Sequence, residues 1–161
     1  MTNCRAAVPL ALVAALSGCL PFTGPDESDR LDTARARWAG FGQHAYIYEV
    51  SRSCECLPPA GRTVEVTIFG DQVTSARYVD TGAAVEAALL PNLPTVPDLF
   101  AMVRAAIDGH AAMLAVEYDA DDGHPRRISV DLDKAYVDDE YTVVSGRVAG
   151  ILTAPVPAQG R

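Results

Sequence analysis

The hydrophobic pattern changes its period at His44, and this change limits the folds open to the chain more than any other feature. Before His44, apolar side chains recur at helical spacing, on the face formed by Leu31, Ala34, Trp38 and Phe41. After it they alternate with polar residues, as in a half-buried strand with Tyr46, Tyr48 and Val50 on one side. The pattern predicts a helix, N-capped by Ser28, followed directly by a strand.

Two more strands are predicted after the first one. Val64, Val66 and Ile68 alternate with polar residues in the second strand. Gly70 and Asp71 form the two-residue signal for a tight turn, which leads into a third strand over Val73–Val79. Because strands joined by tight turns pair antiparallel, this part of the chain predicts a three-stranded meander.

The second half of the chain repeats this order of elements. Thr95 is a predicted N-cap with Asp98 at the capping-box spacing, and the helix it begins ends at Gly109. One face of this helix carries Val96, Leu99, Phe100, Val103 and Ile107. The inward residues of the next two strands are Leu114, Val116 and Tyr118, then Ile128, Val130 and Leu132, and a last strand covers Tyr141–Ile151. The order α-β-β-β-α-β-β-β predicts an α+β fold with two helices packed on one face of an antiparallel sheet.

The N-terminal segment has the composition of a targeting signal. Arg5 precedes an apolar run over Ala6–Leu16 that is too short to span a bilayer. Leu16-Ser17-Gly18-Cys19 resembles the lipobox of bacterial lipoproteins, which implies a signal peptide over residues 1–18 and a lipid anchor on Cys19. Leu20, rather than Asp, follows this cysteine, which favours the outer membrane if the host has one. The alternative interpretation is a buried N-terminal helix in which Cys19 occurs by chance.

The remaining chain is divided into a tether, one domain and a tail. Residues 19–27 contain helix-breaking prolines and glycine and predict a flexible tether, residues 28–152 predict a single domain, and residues 153–161 predict a disordered tail. Removing Arg5 with the signal leaves 12 basic side chains against 21 acidic ones, a formal charge of −9. This charge disfavours nucleic acid as a partner.

Two cysteines remain after processing, because Cys4 leaves with the signal and Cys19 is the predicted anchor. Cys54 and Cys56 lie two residues apart, and in an extended strand their Cα atoms are about 6.5–7 Å apart, near the upper limit for a disulfide. A bond between them needs a kink. Three interpretations stay open: a local structural disulfide, two buried thiols, or a strained pair that works in redox or metal chemistry.

Metal binding has weaker support. Asp119-x-Asp121 begins like a calcium loop, but Gly123, His124 and Val130 occupy the wrong template positions, so a turn is expected. Zinc would need His44, His110 or His124 beside the cysteines, and none has the spacing of a ligand. The weak candidates for a cation form an acidic patch of Asp131, Asp133, Asp138, Asp139 and Glu140. No hydrolase motif or phosphate-binding glycine loop is present, and no cofactor is predicted.

A set of motifs in fixed order resembles a bacterial lipoprotein family of unknown function. The set consists of Trp38, Tyr46-x-Tyr48, Cys54-x-Cys56, Gly70, Thr95-Val96-x-x-Leu99-Phe100, Tyr118-Asp119, Gly123-x-Pro125 and Asp138-Asp139-Glu140. The likeness covers about Ala34 to Val148 and implies the domain boundaries and an envelope location, but no activity.

We therefore expect an envelope lipoprotein that is anchored by Cys19, faces outside the cytoplasm and acts as a non-enzymatic binding or structural module. Its expected partners are the membrane, through the lipid, and an envelope protein. The alternative hypothesis is a thiol–disulfide redox protein that uses Cys54 and Cys56.

Overall fold

The computed structural model describes residues 26–54, 60–133, 135 and 139–151. It contains two α-helices, one 3-10 helix and seven strands. The helices are α1 (Glu27–Phe41), the 3-10 helix (Ala87–Asn92) and α2 (Val96–Asp108). The strands are β1 (Ala45–Ser53), β2 (Val64–Phe69), β3 (Gln72–Tyr78), β4 (Met113–Tyr118), β5 (Pro125–Asp131), β6 (Tyr141–Ser145) and β7 (Ala149–Gly150).

The strands form one antiparallel sheet in the order β3-β2-β1-β6-β5-β4, with β7 also paired to β1. The predicted meander β1-β2-β3 is confirmed, and the turn at Gly70 and Asp71 has the left-handed conformation at both residues (φ 59° and 61°) that a tight hairpin turn requires. Because β6 lies between β1 and β5, the first and the sixth strand of the chain pair at the centre of the sheet. The predicted α+β fold is confirmed.

One face of the sheet carries the core, and both helices pack there. Strand residues at every second position are buried, including Tyr46, Tyr48, Val50, Val64, Val66, Ile68, Val116, Ile128, Val130 and Val143. Trp38 of α1 makes an edge-to-face contact with Tyr46 of β1, with ring centroids 5.4 Å apart. The Tyr46 hydroxyl accepts a hydrogen bond of 3.0 Å from the backbone N–H of Val96, and the Tyr48 hydroxyl donates one to the carbonyl of Pro94. The two tyrosines thus fix the start of α2 on the sheet.

The two helices begin with different kinds of cap. At α2 the predicted capping box is confirmed, since Thr95 and Asp98 exchange side-chain to backbone hydrogen bonds. At α1 the prediction of Ser28 as N-cap is wrong. The cap is Asp26, whose carboxylate accepts a hydrogen bond of 2.9 Å from the N–H of Asp29. Aspartate caps as well as serine does, so the helix gains residues at its start and includes Glu27, the last residue of the predicted tether.

The predicted last strand is interrupted. Val50 pairs with Ser145, and Ile47 pairs with Ala149. The two residues between them on β1, Tyr48 and Glu49, therefore lie opposite three residues, 146–148, of the last part of the chain. This extra residue is a β-bulge, and it divides the strand into β6 and β7. The prediction that Leu132 faces the core is also wrong, because β5 ends at Asp131 and the side chain of Leu132 is 50% exposed.

Candidate functional site

Several predicted site residues lie outside the residues that the structure describes. These are Cys19, Cys56 and Asp138, together with the predicted signal peptide, most of the predicted tether and the predicted tail. The lipid anchor and the pairing of the two cysteines therefore stay predictions.

Cys54 lies at the point where β1 ends. The last pair in the ladder joins Ser53 to Thr142 of β6, and the chain bends at Cys54, which is half-buried. A bend at this position provides the departure from extended geometry that a bond between residues two apart requires.

The acidic candidates lie at the same end of the sheet as Cys54. Val130 of β5 pairs with Tyr141 of β6, so Asp131 and Glu140 are the next residues along these strands. We call Asp131, Asp133, Asp139 and Glu140 the acidic end. Strand β6 pairs with β1 on one side and with β5 on the other, so Cys54 and the acidic end lie at the same end of the sheet although they are distant in sequence.

Two atoms of the acidic end are buried without a partner. Within the described part of the chain, Asp131 Oδ1 and Asp139 Oδ1 are the buried side-chain nitrogen or oxygen atoms that make no hydrogen bond. Asp133 Oδ1 accepts a bond of 3.0 Å from the N–H of Ala135. A buried polar atom that lacks a partner costs about 1–3 kcal/mol, and more when it is charged, so these two oxygens require an explanation.

The acidic end makes no ion pair with a described basic side chain. Lys134, which follows Asp133 in the sequence, lies outside the described residues. The nearest described cation along β1 is Arg52, whose guanidinium lies over the Tyr141 ring at 4.7 Å from its centroid. Burial raises the pKa of Tyr141, and the positive charge of Arg52 opposes this shift.

A second group of titratable side chains was missed in the sequence. It lies in the hairpin between β4 and β5 and consists of Asp119, Asp122 and His124, whose candidate ligand atoms are all within 4.8 Å of one another. The imidazole of His124 is fully buried. Its Nδ1 lies 2.5 Å from Asp122 Oδ1 and its Nε2 lies 3.0 Å from the carbonyl oxygen of Gly146.

The hydrogen bonds of this group link it to two parts of the chain. Both ring nitrogens of His124 lie within hydrogen-bonding distance of an oxygen atom, Asp122 Oδ1 for Nδ1 and the carbonyl oxygen of Gly146 for Nε2. Asp122 Oδ1 also accepts a bond of 2.9 Å from the backbone N–H of His124. This group is therefore a buried hydrogen-bonded cluster that ties the hairpin to the bulge.

Asp119 completes the hairpin as a turn residue. Its Oδ1 accepts hydrogen bonds from the N–H groups of Asp121 and Asp122. Burial alone would raise the pKa of the Asp119 carboxyl, but these two bonds and the nearby charges of His124 and Arg126 outweigh it and lower this pKa. The predicted turn, rather than a calcium loop, is what the structure shows.

The second face of the sheet is open. No described helix packs on it, and its side chains are half-buried or exposed along every long strand. We call this surface the open face, and its members include Ile47, Glu49, Ser51, Glu65, Thr67, Ser75, Arg77, Ala115, Glu117, Arg127, Ser129, Asp131, Thr142 and Val144.

Charged pairs cross the strands of the open face. Arg77 forms an ion pair of 2.8 Å with Glu65, which lies directly opposite it on β2, and Arg127 lies 3.8 Å from Glu117 on β4. Glu49 lies opposite Glu65 on β1, an arrangement that is destabilising for two like charges. A shallow pocket of about 350 Å³ lies beside this glutamate pair and is lined by Ile47, Gly146, Arg147 and Ala149 as well.

The fold now defines the class to which the chain belongs: a single α+β domain with a helix layer on one side of an antiparallel sheet. In a comparison with protein families, residues 30–149 match a family described as "Family of unknown function (DUF6174)". The chain belongs to this family, which confirms the predicted membership in a family of unknown function. Neither the curated proteins nor the solved structures yielded a match to this chain. No helix among the described residues is long and apolar enough to cross a membrane.

Proposed function

We propose that the protein is an envelope lipoprotein whose domain binds an envelope protein through the open face. The lipobox-like sequence before Cys19 supports the anchor, and Leu20 supports the outer membrane as its location if the host has one. The open face carries the binding part of the proposal, because an antiparallel sheet with only one covered face leaves a broad surface for a partner.

The anchor would keep this surface close to the membrane. Seven residue steps separate Cys19 from Asp26, the cap of α1, and a chain of that length spans at most about 25 Å. A partner within the same envelope layer is therefore in reach of the domain.

The charges of the open face suggest how a partner is selected. Arg77 neutralises Glu65, and this leaves Glu49 exposed without an ion pair among the described residues. Arg147 lines the same pocket and also makes no ion pair within the described part. A partner surface with both a basic and an acidic side chain would complement the two.

Site-specific photo-crosslinking in intact cells tests this function. A photoreactive residue at Ser51 or Arg127 samples the open face, and the same residue at Ala36 or Ala101 samples the exposed surfaces of α1 and α2. We expect one adduct of defined mass from both open-face positions and none from the helix positions. Adducts from the helix positions alone, or none from any position, would contradict the proposal.

Intact mass of the protein extracted from its own membrane tests the anchor separately. A chain that begins at Cys19 and carries lipid mass is the expected result, and Cys19→Ser should abolish it. An unprocessed chain would refute the anchor without affecting the open face.

A thiol–disulfide function is the second candidate, and the bend at Cys54 favours it. In this reaction two substrate thiols lose two protons and two electrons and form a disulfide, while the disulfide between Cys54 and Cys56 accepts them and is reduced to two thiols. The pair should then have a reduction potential well above that of ordinary structural disulfides. Cys56→Ser should trap mixed disulfides, and their absence would exclude this function.

A further inference from the structure

The open face is nearly neutral, although the chain as a whole has a formal charge of −8. Its two ion pairs, one between β2 and β3 and one between β4 and β5, cancel. Among its strand residues and those that line its pocket, the charged side chains that remain are Glu49, Arg147 and, at the end of β5, Asp131. Since two copies of an acidic chain repel each other on average, this face is where they can meet at the lowest electrostatic cost.

Glu49 and Arg147 lie beside the same shallow pocket of the open face. Glu49 is in the middle of β1, and Arg147 belongs to the β-bulge opposite it, where the N–H of Gly146 donates a hydrogen bond of 2.8 Å to the carbonyl of Glu49. A Cβ on Gly146 would lie 3.3 Å from the Cβ of Glu49, so the bulge lies against the side of β1 that Glu49 faces. Both charged side chains are exposed, and neither makes an ion pair with a described residue.

We propose that the open face binds a second copy of this chain, related by a two-fold axis beside the pocket; this inference rests on the function proposed above and names its partner. In a two-fold interface every contact occurs twice, because residue i meets residue j and residue j meets residue i. Glu49 of one copy therefore lies against Arg147 of the other, and the reverse pair forms at the same time. A surface with one unpaired charge of each sign beside the axis is complementary to itself.

The dimensions of the open face indicate how stable such a dimer is. Six strands about 4.8 Å apart, each about six residues long at about 3.3 Å per residue, form a surface of about 29 Å by 20 Å, or about 600 Å². Two copies together bury about 1,200 Å², which is the lower limit for a specific interface. Its apolar part is small, since Val144 is only 36% exposed and Ile47 is half-buried. We therefore expect a reversible dimer whose formation depends on protein concentration, rather than an obligate one.

Charge reversal tests the pairing, with sedimentation velocity of the purified full chain over a range of concentrations as the measurement. Glu49→Arg and Arg147→Glu should each weaken the dimer about tenfold or more, because each places like charges in contact twice. The two single variants should dimerise with each other when they are mixed, since one has two basic and the other two acidic side chains at these positions. Glu86→Arg and Arg35→Glu are the controls; they make the same changes of charge at exposed positions off the open face and should leave the dimer unchanged.

Rescue in the mixture is the decisive result, because variants that were merely misfolded would not regain the dimer together. A wild type that sediments as a monomer throughout the concentration range overturns the inference, and so does a mixture that stays monomeric while the wild type dimerises. Photo-crosslinking at Ser51 separates this inference from the function proposed above. An adduct of twice the mass of the chain supports a second copy, an adduct of any other mass overturns the second copy but not the binding function, and the absence of any adduct contradicts both.

Discussion

Removal of the Asp122 carboxylate should destabilise the protein. Asp122→Ala leaves the ring Nδ1 and the backbone N–H of His124, both at a position with no solvent exposure, without the oxygen that they share. Removing one partner of a buried hydrogen bond costs about 1–3 kcal/mol. Because two groups lose their partner here, we expect a loss near the upper end of this range, about 3 kcal/mol.

Urea unfolding gives the free energy of unfolding for this test. Asp121→Ala is the matched control, since its carboxylate is an exposed neighbour in the same hairpin, and it should change the free energy by less than about 0.5 kcal/mol. His124→Leu alone should also be destabilising because it leaves Asp122 unpaired. The double variant should cost less than the sum of the two, with a coupling of about 0.5–3 kcal/mol. Additive costs, or an Asp122→Ala cost below about 1 kcal/mol, would refute the hydrogen bonds between Asp122 and His124.

Three further substitutions test other parts of the structure. The pKa of Asp119 is lowered in the folded state, so its carboxylate stabilises the fold above the ordinary carboxyl pKa, and this stability is lost as the pH falls through the folded-state pKa. Asp119→Asn should therefore make the free energy of unfolding fall less steeply as the pH is lowered. An unchanged slope would contradict the hydrogen bonds assigned to Asp119. Tyr48→Phe should cost about 1 kcal/mol in urea unfolding, because the half-buried carbonyl of Pro94, which precedes α2, loses its donor. A neutral change would refute that bond. Gly123→Ala places a Cβ against the carbonyl oxygen of Ala34 at a residue whose φ is 84°, so we expect the free energy of unfolding to fall by at least about 1–3 kcal/mol. Gly40→Ala is the control, because the space around Gly40 is open, and it should be neutral or stabilising.

Elements that depend on local patterns could be predicted from the sequence. The alternation of Tyr46, Tyr48 and Val50 identified the buried side of β1, and the spacing of Thr95 and Asp98 identified the start of α2. The period of apolar side chains is a local property, so it needs no knowledge of which strands pair. At α1 the local pattern indicated Ser28 as the cap, and the structure shows that Asp26, two residues earlier, caps the helix.

The long-range arrangement could not be predicted in the same way. Nothing in the sequence places β6 between β1 and β5, and only that order brings Cys54 to the end of the sheet where Asp131 and Asp139 lie. The sequence analysis considered His124 only as a metal ligand and did not predict its burial or its pairing with Asp122, because a single histidine in a turn has no periodic pattern. The one available clue was Asp122 two residues earlier, which is the spacing of a hydrogen bond within a turn.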